Sequence, residues 1–222
     1  NMFDFIASGN FKALSEEDKI LFFKQIGQIS ALDFMIGNLD RFVPIELREE
    51  DASFVINVEE KVNLGNLMFR NSKVGEMIAI DNDIASHLKM DVESGRDVLV
   101  RQRDSYKELL KKYFAGDSSE ELSKQIASAL EFTAQNEKDF EKCSAEVKAF
   151  SEALQNFGAE NIQAGWQDVQ QRMREKLIPF WFSEEIKEYA TLKKLMDDFA
   201  PGLRVPLEER MKVIQGSLSE AD

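Results

Sequence analysis

The sequence has little cysteine and histidine, and each shortage excludes a class of site. The single cysteine, Cys143, excludes an internal disulfide and a multi-cysteine zinc site, and it fits a reducing compartment such as the cytoplasm. The lone histidine, His87, excludes a histidine cluster, and we expect it to be structural rather than a contact to metal or substrate. No apolar run approaches the roughly 18 residues that span a bilayer, and residues 1 to 14 lack the pattern of a signal peptide.

The charge balance is acidic and argues against nucleic acid as a partner. The chain has 28 Lys and Arg against 41 Asp and Glu, a formal net charge of -13, so a polyphosphate backbone or an anionic bilayer would repel it. The basic residues between Arg96 and Lys112 are expected to form a solvated helix face and are assigned no role. The hydrophobic share of 43% is that of a chain that folds into a globular core.

The first part of the chain predicts a long helix and then short strands. Ser15 precedes three acidic residues, which marks the start of a helix from about 16 to 36 that Gly37 ends. Residues 44 to 65 indicate an insertion or long loop, with a short strand at about 54 to 58. The runs Leu67 to Phe69 and Glu76 to Ile80 suit a small hairpin.

The chain beyond about residue 92 reads as helical. Six apolar side chains recur at steps of three and four and predict one buried helix stripe that ends at Gly158: Phe140, Cys143, Val147, Phe150, Leu154 and Phe157. Further helices are predicted at about 119 to 134 with Asp117 or Ser118 as cap, and at about 160 to 176, 184 to 199 and 206 to 215. We therefore predict a mainly α fold with a small β-hairpin region, divided into residues 1–91 and a helical part at 92–222 of the same lobe or of a helical extension.

Three short strings carry the residues that have chemistry. They are Gly37-Asn38-Leu39-Asp40-Arg41 after a helix, Gly65-Asn66-Leu67-Met68-Phe69, and Ile80-Asp81-Asn82-Asp83 after a short strand. Phosphoryl transfer needs a carboxylate near the attacking hydroxyl and oxygen ligands that hold Mg²⁺ on the nucleotide phosphates. A loop aspartate, an asparagine and a strand-end aspartate supply these parts in the order that kinases use. The alternative is that all three strings are turns or solvated loops.

At these residues the sequence resembles the atypical kinases, most closely the actin-fragmin kinase group and more distantly the type II phosphatidylinositol kinases and secretory-pathway kinases. The matching text runs from Leu32 and Asp33 to Arg41, and from Ala79 to Asp83. The resemblance implies a protein-kinase-like C-terminal lobe that uses ATP and Mg²⁺ on a protein substrate. It implies Asp40 as the catalytic aspartate and Arg41 as the residue that orders its loop. Asn66 and Asp81 would then bind the metal and the cofactor, and Asp83 or Asn82 would share the metal.

The sequence departs from the kinase pattern in two places. Asp40 and Asn66 are 26 positions apart (66 − 40), whereas the ordinary kinase loop places its asparagine five after the aspartate; the actin-fragmin kinase group is similar in having an insertion there. The first string begins at Gly37, which leaves no space for an ATP-clamping N-terminal lobe, and no Gly-x-x-x-x-Gly-Lys loop replaces it. Because the chain begins with Asn1 rather than Met, we expect that lobe, if present, upstream of this sequence.

Three functions remain open at this point. The first is an atypical protein kinase that lacks its N-terminal lobe in this chain and is inactive as this fragment alone. The second is a noncatalytic, pseudokinase-like module that binds partner proteins through residues 92 to 222, and the third is nucleotidyl transfer on the same scaffold. We expect a cytoplasmic location, or a host cytoplasm if the protein is a secreted effector.

Overall fold

Helices make up most of the computed structural model of the protein. The model describes residues 1–36, 41–42, 45–48, 53–56, 62–69, 77–79, 108, 117–136, 140–177, 212 and 215. Its helices are α1 (Met2–Ala7), α2 (Glu16–Ile36), α3 (Asp117–Asn136), α4 (Phe140–Ala153) and α5 (Ala159–Arg172), with π-helical turns at Leu154–Gly158 and Met173–Leu177. Its strands are β1 (Ile45–Arg48), β2 (Ser53–Ile56), β3 (Leu67–Phe69) and β4 (Met77–Ala79), and a 3₁₀ turn, Leu64–Asn66, leads into β3.

The long helix α2 begins and ends where the sequence predicts. The hydroxyl of Ser15 accepts a hydrogen bond from the Asp18 backbone N–H at 3.1 Å and donates one to the Asp18 carboxylate at 2.9 Å. This reciprocal arrangement satisfies an amide that would otherwise lack a partner at the helix start. The short helix α1 was not predicted, because six residues carry too little periodicity; the Asn1 side chain caps it by accepting from the Asp4 N–H at 2.9 Å.

Helices α2 and α5 cross at two glycines. A Cβ on Gly27 would overlap the Ile162 carbonyl oxygen, and a Cβ on Gly165 would overlap the Lys24 carbonyl oxygen and lie 2.8 Å from the Gln28 nitrogen. The two backbones can approach this closely only because neither glycine has a side chain.

Hydrogen bonds made by side chains complete the crossing of α2 and α5. The buried Trp166 indole N–H donates to the Ser30 hydroxyl at 2.9 Å, and the Ser30 hydroxyl donates to the Gly27 carbonyl at 3.0 Å. The Gln28 side-chain amide donates to the Asp168 carboxylate.

Five side chains of the predicted stripe lie in the core or against it, and the side chain of Phe140 lies outside the described ones. Cys143, Val147, Phe150 and Leu154 are buried, and Phe157 packs partly buried against the same core. The prediction of a core role for Cys143 is confirmed. Helix α3 is also confirmed, but it is longer than predicted, and Asp117 and Ser118 are its first helical residues rather than its cap.

The predicted helix end at Gly158 is wrong. The chain remains helical from Phe140 to Leu177, and Gly158 has a right-handed φ of -66° inside the π turn Leu154–Gly158. A glycine that ends a helix commonly has a left-handed backbone. Here glycine instead leaves room for a neighbouring side chain, because a Cβ on Gly158 would lie 2.5 Å from Cδ1 of Leu154.

Phenylalanine rings form the centre of the core. Phe11 packs edge-on against Phe22 and Phe150, with ring centroids 5.2 and 4.6 Å apart. Phe69 of β3 stacks on Phe5 at 4.4 Å and on Phe22 at 5.5 Å, so the strand is held against α1 and α2. Such pairs contribute about 0.5–1.5 kcal/mol each beyond their buried area.

The strands form two antiparallel pairs. Leu67 lies opposite Ala79 and Phe69 opposite Met77, which confirms the hairpin predicted from these two runs. β1 pairs with β2, with Ile45 opposite Ile56. A strand was predicted at 54 to 58, and it is observed at Ser53–Ile56; its partner β1 was not predicted.

One buried cluster draws side chains from both predicted parts of the chain, from Met2 in α1 to Met173 after α5. The predicted boundary at residue 91, the predicted helix at 184 to 199 and the basic residues from Arg96 lie outside the described residues. Of the predicted helix at 206 to 215, only Lys212 and Gln215 are described, and both are helical. Within the described part of the chain, no helix has both the length and the apolar composition for a membrane crossing.

Candidate functional site

The candidate site begins with an acidic residue near the end of α2. Asp33 is followed by Phe34, Met35 and Ile36, and it is only 2% exposed. A buried carboxylate without a partner would cost several kcal/mol, so we expect a cation or hydrogen-bond donors close to it.

The cation is Arg41, whose side chain is fully buried. Its Nε donates to Oδ2 of Asp33 at 2.9 Å, and its Nη2 donates to Oδ1 at 3.0 Å. The two parallel bonds make a bidentate pair, the strongest and most directional form of such a contact. Arg41 directly follows Asp40, so this pair holds the end of the first motif string to helix α2.

Arg41 also joins the first string to the second. Its Nη1 donates to the Asn66 carbonyl oxygen at 3.2 Å, and its own carbonyl oxygen accepts from the Asn63 N–H at 3.0 Å. Next to these contacts, Phe42 and Val62 are both buried. The bond between Arg41 and Asn63 therefore brings Phe42 and Val62 close together in the core.

The segment that carries Asn66 has its own local supports. The Asn63 side chain accepts from the Gly65 N–H at 3.1 Å and caps the 3₁₀ turn that ends at Asn66. Leu67, the next residue, is fully buried, and Phe69 stacks on Phe5. Asn66 itself is half-buried, at the point where the turn becomes β3. Its backbone is thus held by the Arg41 bond on one side and by the buried strand on the other.

The structure describes two of the predicted site residues. Arg41 and Asn66 are described and contact each other as stated above. Asp40, Asp81 and Asp83 lie outside the described residues, as do Asn82 and His87. Their roles therefore stay predictions.

The metal site was predicted on amide and carboxylate oxygens. These are the ligands that Mg²⁺ prefers, and Asn66 supplies one amide. Across the described ranges, no group of three or more His, Cys, Asp or Glu side chains is arranged to hold a metal ion. The predicted metal ligands Asp81 and Asp83 are not in those ranges.

Two features of this site were not predicted from the sequence. Asp33 was included in the matching text without a role, although an acid inside the apolar run at the end of α2 signals a buried partner. The hydrogen bond from the Asn63 N–H to the Arg41 carbonyl has no signal in the sequence, because it joins residues 22 positions apart (63 − 41) through backbone atoms.

Comparisons with known proteins found no relative of the chain: no family model, no curated protein and no solved structure matches it.

Proposed function

We propose that the chain is the C-terminal lobe of an atypical ATP-dependent kinase that transfers the γ-phosphoryl group of ATP to a protein hydroxyl. The observation that carries this proposal is the contact between Arg41 and Asn66. The two residues belong to the first two motif strings and are 25 positions apart (66 − 41), yet Arg41 donates directly to the Asn66 backbone. A catalytic loop needs this proximity between its aspartate and its asparagine.

The third string follows a strand that pairs with the residue next to Asn66. Leu67, next to Asn66, pairs with Ala79, and Asp81 follows Ala79 by two residues. Covalent geometry limits the distance between the Cα atoms of Ala79 and Asp81 to about 7 Å. Asp81 is therefore only two residues beyond the strand that pairs with Leu67, which is compatible with a metal site shared with Asn66.

Each residue would have one task in the transfer. Asp40 orients the attacking hydroxyl and accepts its proton while the hydroxyl oxygen bonds to the γ-phosphorus and the bond to the ADP oxygen breaks. The Asn66 amide and the carboxylates of Asp81 and Asp83 would hold Mg²⁺, which neutralises charge on the phosphates when bound. Arg41 keeps the Asp40 loop against the Asn66 turn.

The ATP-clamping lobe would come from outside this chain, since the sequence contains neither a glycine-rich hairpin ahead of Gly37 nor a Gly-x-x-x-x-Gly-Lys loop. The 222 residues alone would then bind ATP weakly. Micromolar affinity of this chain for ATP in calorimetry would contradict the missing-lobe proposal. The same absence favours the second candidate, a pseudokinase-like module that binds proteins without catalysis. We place the protein in the cytoplasm, or in a host cytoplasm if it is secreted.

The experiment compares Asp40→Asn with Asp81→Asn in the protein together with its N-terminal lobe. Asp40→Asn keeps the size but loses the proton acceptor, so magnesium-dependent ATP turnover should fall at least about a hundredfold with little change in nucleotide affinity. Asp81→Asn removes an anionic metal ligand, so nucleotide affinity should also fall and should partly recover at higher magnesium. An exposed acid, Glu152→Gln, is the control.

The outcomes separate the candidates. A hundredfold loss in Asp40→Asn together with magnesium-dependent loss of affinity in Asp81→Asn supports the kinase. Parental turnover in both variants would refute the roles assigned to Asp40 and Asp81 and with them the kinase proposal. No turnover in the parental protein supports the noncatalytic module. Release of pyrophosphate instead of ADP from ATP supports nucleotidyl transfer.

A further inference from the structure

Asp33 lies close to the tightly packed crossing of α2 and α5. It lies one turn after Ser30, whose hydroxyl accepts from the Trp166 indole N–H, and two turns after Gly27, where α2 meets α5. Its carboxylate is therefore anchored by the most closely packed helix pair of the described structure. Both of its oxygens accept from Arg41.

Because the Arg41 guanidinium is planar, its contact with Asp33 also fixes the orientation of its third nitrogen, Nη1. Once Nε and Nη2 are fixed on the Asp33 carboxylate, the direction of the Nη1–H bonds is fixed as well. Nη1 donates to the Asn66 carbonyl oxygen. The orientation of the Asp33 carboxylate thus sets where the Asn66 backbone lies relative to Arg41, and Arg41 is bonded covalently to Asp40.

Stability alone does not account for a buried pair of this kind. An apolar pair of similar volume is often equally or more stabilising, because two charges must lose their hydration on burial. What an ion pair adds is direction. In an ordinary kinase loop, five residues of chain hold the aspartate and asparagine together, whereas here 26 positions separate Asp40 from Asn66, and the described ties across that separation are noncovalent.

We propose that Asp33 is a positioning residue that, through Arg41, sets the distance between the Asp40 carboxylate and the Asn66 metal ligand; this rests on the kinase function proposed above. Displacement of a catalytic group by about 1 Å can cost about a hundredfold in rate. Changing Asp33 should therefore lower kcat while the KM for ATP changes little.

Two variants separate position from charge. Asp33→Asn keeps the shape and removes the charge, whereas Asp33→Glu keeps the charge and moves the carboxylate by one methylene. Both should lower kcat for magnesium-dependent ATP turnover at least about tenfold, with the KM for ATP within about twofold. Glu17→Gln, an exposed acid on the same helix, should leave both constants unchanged. Rates are measured well below the melting temperature of each variant, so unfolding does not contribute.

A double-mutant cycle with Asp40→Asn provides the decisive test, in the protein with its N-terminal lobe. If Asp33 acts by positioning Asp40, Asp33→Glu should have little further effect once Asp40 is already asparagine. Equal losses in the two backgrounds would overturn the positioning role, and so would a parental rate in Asp33→Glu. If the Asp40→Asn variant turns over ATP at the parental rate, both the kinase proposal and the positioning role of Asp33 fail. If Asp40→Asn loses turnover and the Asp33 variants do not, the kinase proposal stands and Asp33 has no role in its mechanism.

Discussion

Gly27 and Gly165 face each other where α2 crosses α5, with no room for a Cβ on either residue. The atoms in the way belong to the backbone of the opposite helix, so a side chain there cannot be accommodated by a rotamer change. The helices themselves would have to move apart, which would also separate Trp166 from Ser30.

Gly27→Ala and Gly165→Ala should each lower the free energy of unfolding by about 2–4 kcal/mol, although alanine is the better helix former by about 1 kcal/mol. Urea denaturation of the folded chain measures this change. Gln167→Ala, an exposed position on the same helix, should stay within about 0.5 kcal/mol. A gain in stability at either glycine would show that the helices are not in direct contact there.

The hydrogen bond from Trp166 to Ser30 should be energetically coupled. We compare Trp166→Phe, Ser30→Ala and the double variant in a double-mutant cycle. The sum of the two single losses of unfolding free energy should exceed the loss in the double variant by about 1 kcal/mol. The reason is that either single change leaves a buried polar group without this partner. Urea denaturation of the four proteins checks this value. Additive losses would indicate that Trp166 contributes through packing alone.

Replacing only one partner of the ion pair between Asp33 and Arg41 should lower the free energy of unfolding strongly. Asp33→Leu alone should lower the free energy of unfolding by about 3–5 kcal/mol, because it leaves a buried guanidinium without its main anion. The double variant Asp33→Leu, Arg41→Met should be more stable than the single one. Thermal unfolding followed by circular dichroism measures both, and the exposed pair of Lys148 and Glu152 provides a control whose removal should have no measurable effect.

Residues 43–61 should be removable without loss of the fold. Joining Phe42 to Val62 deletes 19 residues (61 − 43 + 1), and the bond from the Asn63 N–H to the Arg41 carbonyl then closes a four-residue β-turn. The separation of Asp40 and Asn66 falls to seven positions (26 − 19), close to that of an ordinary kinase loop. We expect cooperative unfolding with a melting temperature within about 5 °C of the parental one, since long insertions add little closure entropy.

A second variant tests whether the fold needs the residues of segment 43–61 or only a connecting chain of that length. Replacing residues 43–61 by 19 residues of Gly-Ser repeat keeps the length and removes the β1–β2 pair. If this variant folds and the direct join does not, the ends of the segment are too far apart to be joined. If neither folds, the segment contributes to the core, contrary to the prediction.

The parts of the fold that were predicted correctly have a strong local cause. The start of α2 follows from the Ser15 cap, and the burial of Cys143 and Val147 follows from helical spacing. The hairpin of β3 and β4 follows from two apolar runs around a turn-like segment. These signals need no knowledge of the rest of the molecule.

The parts that were missed depend on tertiary contacts. Glycine is a residue type that often ends a helix, but the role of Gly158 inside the π turn is set by the Leu154 side chain. The pairing of Arg41 with Asp33 joins residues eight positions apart across the end of a helix, so neither helical nor strand spacing predicts it. Of the candidate site, the sequence could predict the residue types and their order, whereas the tie between Arg41 and Asn66 required the folded chain.

The π turn Leu154–Gly158 keeps two stretches of one helix directed at the same partner. On a regular α-helix, the 16 positions from Phe150 to Trp166 would turn the two side chains about 160° apart, and one extra residue taken up by the π turn reduces this to about 60°. Both side chains accordingly contact α2, Phe150 at Phe22 and Trp166 at Ser30. A related protein with a regular helix here would have one residue fewer, so an ungapped alignment of the two sequences would shift every position on one side of the π turn onto the wrong face.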